Sequence, residues 1–169
     1  MGSDAWTAAW CRHLNAAGKL SATIRPASQA DVAVVAVIER ASFGDPWSEE
    51  AFRELLEMRD AIFLVATRRS PETVAGYVIA RVVADEADVL NLAVSPAERG
   101  RGLGGELLDA GLAAVIDRGA REVFLEVRES NAAALALYGS REFMTVSRRS
   151  KYYRNPVEDA LLLRRAIEG

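Results

Sequence analysis

The chain predicts a single α/β domain built on a mixed, mostly antiparallel central sheet flanked by helices. Three observations carry that prediction. Its 169 residues are half hydrophobic, enough for one compact domain with a sizeable core. Three strand-like runs, Ala61 to Arg68, Val74 to Val83 and Glu86 to Val94, follow one another through short connections, which predicts an antiparallel meander. The stretch from Val89 to Val127 then reads strand, helix, strand. That is a βαβ unit, with parallel strands and a right-handed crossover.

Residues 1–20 read as an extension ahead of a domain over 21–169. Trp6, Trp10, Leu14 and Ala17 recur at helical spacing, which predicts a short amphipathic helix stopped at Gly18. Ala22 to Pro26 is a first strand. Ser28-Gln29-Ala30-Asp31 resembles a capping box, and Val32, Val35, Ile38 and Ala41 or Ser42 mark the buried stripe of the helix it opens. Asp45-Pro46-Trp47-Ser48 is a turn. Ser48 caps a second helix whose apolar face is Phe52, Leu55 and Leu56. The meander follows, its first turn at Arg69 to Thr73.

From Leu103 a third helical stripe, Leu107, Leu108, Leu112, Val115 and Ile116, runs to a stop near Gly119. Val123 to Val127 is a strand. Glu129-Ser130-Asn131 starts a short helix through Tyr138, with Ser130 or Asn131 as its cap. Glu142 to Arg148 and Asp159 to Arg165 read as a closing antiparallel pair, joined by a long polar-aromatic loop.

Composition bounds the function. A net charge of −3 and a pI near 5.3 argue against a dedicated nucleic-acid binder. Arg148, Arg149, Lys151 and Arg154 are then read as a solvated loop face. One cysteine, Cys11, allows no intrachain disulfide. Cys11 and His13 are the single Cys and the single His, two positions apart, which is a poor metal or nucleophile signal. No apolar run reaches membrane-span length, and the start lacks the pattern of a signal peptide. The expectation is a cytoplasmic protein without metal, membrane or direct nucleic-acid contact, as a monomer or weak homodimer.

The chemistry centres on Val89 to Gly105, a buried strand, a proline-marked turn and a glycine-rich helix start. Closely spaced glycines let backbone N–H groups approach a pyrophosphate, and the helix N-terminus adds partial positive charge. A Walker loop needs Lys-Ser/Thr after its last glycine, but Gly105-Glu106 follows Gly104. The dinucleotide fingerprint needs G-x-G-x-x-G after the first strand of a doubly wound sheet. Here the third glycine comes one position early, and three antiparallel strands precede it.

What remains, Arg99-x-x-Gly102-x-Gly104, resembles motif A of the GNAT superfamily of acetyl-CoA-dependent N-acetyltransferases. Asn91-Leu92-Ala93-Val94-Ser95-Pro96, Leu125-Glu126-Val127-Arg128-Glu129-Ser130-Asn131, Leu137-Tyr138 and Lys151-Tyr152-Tyr153-Arg154-Asn155-Pro156 are similar to the RimI-type branch, the ribosomal-protein-alanine N-acetyltransferases. The resemblance covers Ala22 to Arg165. It implies the GNAT-like acyl-CoA N-acyltransferase fold, in which the strands around the motif A helix splay apart. Leu92, Ala93 and Val94 would then pair with the pantetheine arm of acetyl-CoA. The amides of Gly100, Arg101, Gly102, Leu103, Gly104 and Gly105 would hold its pyrophosphate, supplemented by the Arg101 side chain. Asn131 would contact the same arm, cap its helix, or do both.

Glu126 is the candidate base, a carboxylate interrupting the apolar run Val-Phe-Leu-Glu-Val, where it must be paired, hydrated or functional. Strand alternation puts it on one face with Phe124. Tyr138 is the candidate acid for the departing sulfur, or a core aromatic closing its helix. Phe43 to Ser48 and Arg148 to Asn155 are candidate walls of a peptide groove. The resemblance implies as acceptor a protein N-terminus beginning with alanine, in a small-subunit ribosomal protein. A lysine or small-amine acetyltransferase and a non-catalytic CoA-binding or docking module are the alternatives. One departure stands out: Glu142 occupies the position of a family glycine, and Gly139 is the alternative helix stop.

Overall fold

The computed structural model describes residues 22–68 and 72–167. The expected helix over residues 1–20, with Trp6, Trp10, Cys11 and His13, lies outside the described residues, as does most of the Arg69 to Thr73 turn. The elements are β1 (Thr23–Pro26), α1 (Val32–Ser42), α2 (Glu49–Glu57), β2 (Ala61–Arg68), β3 (Thr73–Val83), β4 (Glu86–Val94), α3 (Leu103–Asp117), β5 (Glu122–Arg128), α4 (Ala132–Gly139), β6 (Met144–Arg154) and β7 (Val157–Ala166). The element order is the one the periodicity predicts.

Local chemistry sets most of the boundaries. Ahead of α1, the Ser28 N–H and Oγ both donate to Asp31 Oδ2, at 2.8 and 2.9 Å. Arg25 braces the same carboxylate from β1. The Ala51 N–H donates to Ser48 Oγ and caps α2. Asn131 Oδ1 accepts from the Ala134 N–H, which settles the α4 cap in favour of Asn131 and starts the helix at Ala132. Gly119, with φ of 92°, ends α3.

The seven strands form one sheet in the order β1-β2-β3-β4-β5-β7-β6. Every neighbouring pair is antiparallel except β4–β5. On one face α1 and α2 bury Val32, Val35, Phe52 and Leu55 against Phe63, Tyr77 and Ile79. On the other, α3 buries Leu103, Leu107, Leu108, Leu112 and Val115 against Val78, Ala80, Val123 and Leu125. Each such side chain contributes about 1.5–3 kcal/mol of burial, so strands covered on both faces lack polar alternation. Two stripe positions fall outside this core. Ile116 is exposed, and Ala41 is exposed while Ala36 and Glu39 complete the buried face of α1.

The sheet is split at its centre. β4 and β5 pair only from Glu86↔Glu122 to Val89↔Leu125. Beyond that point β4 stays on β3 to Val94, and β5 stays on β7 through Arg128↔Ala160. Where they part, Ile79 pairs with Asn91 but Ala80 with Val89. Leu90 is therefore the extra residue of a bulge, which bends β4 away.

The C-terminal region corrects the sequence reading. The expected long loop is strand: β6 runs from Met144 to Arg154, and only Asn155-Pro156 separates it from β7. The segment Arg148 to Arg154 failed to read as a strand because β6 is an edge strand exposed along almost its whole length. A register shift between Arg149 and Tyr153, with Lys151 at φ of 52°, breaks its alternation further. Glu142 and Phe143 belong to the preceding turn, not to the strand.

Candidate active site

The glycine-rich turn needs glycine for its backbone. Gly100 and Gly102 have φ of 73° and 84°, where other residues incur about 1–2 kcal/mol, although a Cβ at either would meet nothing within 4 Å. Gly102 caps α3. The first N–H groups of that helix have no intrahelical acceptors and form a partially positive end. Such a helix end, with free N–H donors and partial positive charge, suits an anionic group such as a pyrophosphate. Leu103 is buried in the core, so it offers only its backbone. Arg101 is 63% exposed and lies 3.5 Å from Glu98.

Arg99 is a brace. Its Nε donates to the Val94 carbonyl at 3.0 Å and its Nη2 to Ser42 Oγ at 2.9 Å, tying the end of β4 to α1. Of the expected pairing edge Leu92, Ala93 and Val94, the Val94 carbonyl is therefore engaged already and the Ala93 carbonyl lies against Gly76 of β3. Val94 and Leu137 both approach Gly104, joining the turn to the split.

A cavity of about 300 Å³ occupies the split, bordered by Leu92, Glu126, Asn131, Leu137 and Tyr138. Glu126 reaches it from the Phe124 face of β5, opposite Val123, Leu125 and Val127. Tyr138 reaches it from the α3 face, where it also packs edge-on against Phe143 at 5.9 Å. Tyr138 is a core aromatic and borders the cavity as well. At 8% exposure, burial and the neighbouring Tyr153 push its phenol up to about 12, so it keeps its proton through the neutral range.

Glu126 is not isolated. Its side chain is 24% exposed and ion-paired with Arg149 Nη1. Tyr152 hydrogen-bonds to it, and that bond with burial raises the Tyr152 pKa. Burial and then the Glu126 charge push Tyr153 up to about 12 and raise Asp88. Arg128 stacks over the Tyr153 ring at 4.1 Å. Of Arg148, Arg149, Lys151 and Arg154, read from sequence as a solvated face, Arg149 pairs with Glu126, and Tyr152 and Tyr153, from the expected groove wall, lie near the same carboxylate.

The two expected groove walls meet. A Cβ on Gly44 would collide with the Asn155 carbonyl oxygen, so close approach requires glycine there. A second cavity of about 770 Å³ continues from the first, lined by Asp45, Trp47, Leu90, Arg149, Tyr152 and Tyr153 among others. Among residues the sequence reading did not single out, Glu39 is 1% exposed and borders the smaller cavity with Asn91. Its spacing with Val32, Val35 and Ala36 was the available signal.

Comparison with known proteins agrees with this architecture. The family model for the acetyltransferase (GNAT) family matches residues 32–143. The [ribosomal protein bS18]-alanine N-acetyltransferase of Salmonella typhimurium is 36% identical over 143 residues, 83% of this chain and 95% of that protein. The N-alpha-acetyltransferase RimI of Mycobacterium tuberculosis is 37% identical over 153 residues, 85% of this chain and 91% of that protein. The crystal structure of the ribosomal-protein-S18-alanine N-acetyltransferase from Escherichia coli superposes with a TM-score of 0.79 at 33% identity, covering 88% of this chain and 96% of that one. The split sheet, the left-handed glycines before α3 and these matches together place the chain in the GNAT family, as an acetyl-CoA-dependent N-acetyltransferase of the RimI type.

Proposed function

We propose that the enzyme acetylates the α-amino group of a protein beginning with alanine, a small-subunit ribosomal protein, with Glu126 as general base and Tyr138 as general acid. The observation that supports it most is that Glu126 and Tyr138, from opposite faces of the sheet, border one cavity at the split. The names of relatives that cover most of the chain supply the acceptor class. Bound acetyl-CoA supplies a thioester carbon to attack and a thiolate to leave. In this reading the amides of Gly100, Arg101, Gly102, Leu103, Gly104 and Gly105, the edge of Leu92, Ala93 and Val94, and the free end of Asn131 hold it. The cap uses only the Oδ1 of Asn131.

The acceptor explains why a carboxylate suffices. A peptide α-amine has a pKa of about 7.7–8.0, so a useful fraction is neutral near pH 7, whereas a lysine amine at about 10.4 demands a stronger base. Glu126 orients the amine and takes its proton as the N–C bond forms. Arg149 holds the carboxylate through Oε1 and keeps it oriented in the cavity wall. Tyr138 stays protonated near 12 and donates to the sulfur as negative charge develops.

The test uses two peptides with acetyl-CoA, one with a free N-terminal alanine and one N-blocked with an internal lysine. The alanine peptide is acetylated, and Glu126→Gln and Tyr138→Phe each lower kcat by about a hundredfold. Preference for the blocked peptide would sink the acceptor assignment. Parent-like turnover by both variants would sink the catalytic one.

A further inference from the structure

Glu39 is a buried carboxylate that the catalytic proposal does not use. It projects from α1 at 1% exposure, and among the described residues it forms no ion pair. Uncompensated burial of a carboxylate costs several kcal/mol unless hydrogen bonds replace its water. Here three groups from three other segments converge on it. The Trp47 N–H donates to Oε1 at 3.0 Å. Asn91 Nδ2 donates to both oxygens, at 3.2 and 3.0 Å. The Tyr77 hydroxyl donates to Oε2. Burial, then the Glu39 charge, drives the Tyr77 pKa strongly upward, so the phenol remains a donor.

The placement of these partners matters more than their number. Trp47 lies in the α1–α2 turn and borders both cavities. Asn91 follows the Leu90 bulge, where β4 leaves β5. One carboxylate therefore ties the acceptor wall to the strand edge that opens onto the site. Tyr77 is interior to the α1/α2 core and borders neither cavity.

We propose that Glu39 is a positioning residue, whose carboxylate sets the Trp47 wall at a fixed distance from the β4 bulge and so aligns acceptor with acyl donor. This rests on the reading of the groove between residues 43–48 and 148–155 as the acceptor site, but not on alanine as the acceptor. The role is one of reach. Glu39→Asp keeps the charge but is a methylene too short to span Trp47 and Asn91 together. Glu39→Gln loses the charge but keeps an acceptor oxygen at the same reach for the Trp47 N–H. Tyr77→Phe removes one buried hydrogen bond from the same carboxylate without touching either wall.

The experiment measures acceptor KM and kcat, CoA affinity by calorimetry, Tm, and amide exchange over residues 44–48 for the three variants. Glu39→Asp raises acceptor KM and lowers kcat, together about tenfold or more. It speeds exchange at 44–48 and leaves CoA affinity within about twofold of the parent. Glu39→Gln recovers most of the activity and the protection. Tyr77→Phe lowers Tm but leaves acceptor KM and exchange at 44–48 as in the parent. Greater damage in Glu39→Gln than in Glu39→Asp overturns the proposal in favour of a charge role, and equal damage overturns it because reach alone then does not explain the loss. Acceptor KM and exchange in Tyr77→Phe that track its Tm overturn it in favour of general stability. A parent that acetylates neither peptide removes the acceptor reading itself, and the exchange pattern still decides whether Glu39 holds Trp47.

Discussion

Glu142 shows what one residue can reveal about a turn. It sits at φ of 64°, a conformation glycine adopts freely and a residue with a Cβ adopts only at a cost. The turn is intact: the Glu142 N–H bonds Gly139 O and the Phe143 N–H bonds Tyr138 O. Gly139 itself is the last residue of α4, with no left-handed φ, so the left-handed position is the one filled by glutamate. Its ion pair to Arg165, at 3.5 Å and 83% exposed, offsets little of the strain. Glu142→Gly is expected to raise stability by about 1 kcal/mol in denaturant titration, with kcat/KM unchanged. A loss of stability would mean that the side chain contributes more than the backbone strain. The substitution was visible in the sequence; its cost was not, because φ is not written there. Glu126 was legible for the opposite reason, since a carboxylate inside an apolar strand is anomalous on its face. Glu39 was passed over because a helical glutamate is ordinarily solvated. Only its register with Val32, Val35 and Ala36 betrays its burial.

At the scale of elements, the outer part of the β6–β7 hairpin, beyond Arg148, is the piece the sequence concealed. Apolar periodicity located β2 to β5 because each buries a face. β6 buries almost nothing, so it carries no such signal, although it delivers Arg149, Tyr152 and Tyr153 to Glu126. The hairpin is held against the α1–α2 turn at Gly44 and Asn155, and Arg128 fixes its tip through the Asn155 and Pro156 carbonyls at 3.0 and 3.1 Å. Gly44→Val forces these two segments apart, because the Asn155 backbone cannot rotate out of the way as a side chain would. The expected result is an acceptor KM raised about tenfold or more, with CoA affinity unchanged because the α3 turn is not involved. An unaltered acceptor KM would mean that the groove lies elsewhere, and an equal loss of CoA affinity would mean that the change spreads through the fold.

At the scale of the molecule, the split divides the sheet into two blocks, β1–β4 and β5–β7. Four paired positions from Val89↔Leu125 back to Glu86↔Glu122 join them, while α3 packs chiefly on the first block. Tyr138 and α4 close the gap from the second. A ligand seated on the α3 turn and along the β4 edge bridges the blocks and binds only the folded state. Free CoA at 100 times its Kd is then expected to add about 2.7 kcal/mol. For a chain of 169 residues that is a rise in Tm of about 5–11 °C. Amide exchange slows at 90–94 and 100–105 together. Gly102→Val, strained at φ of 84° by about 1–2 kcal/mol, lowers the ligand-free Tm and also loses the CoA response. A parent that shows no CoA shift would refute the cradle assignment. A Gly102→Val protein that kept the full shift would locate the pyrophosphate away from the turn. The two responses separate because strain at Gly102 acts on the folded chain alone, whereas the lost shift reports donors that no longer converge.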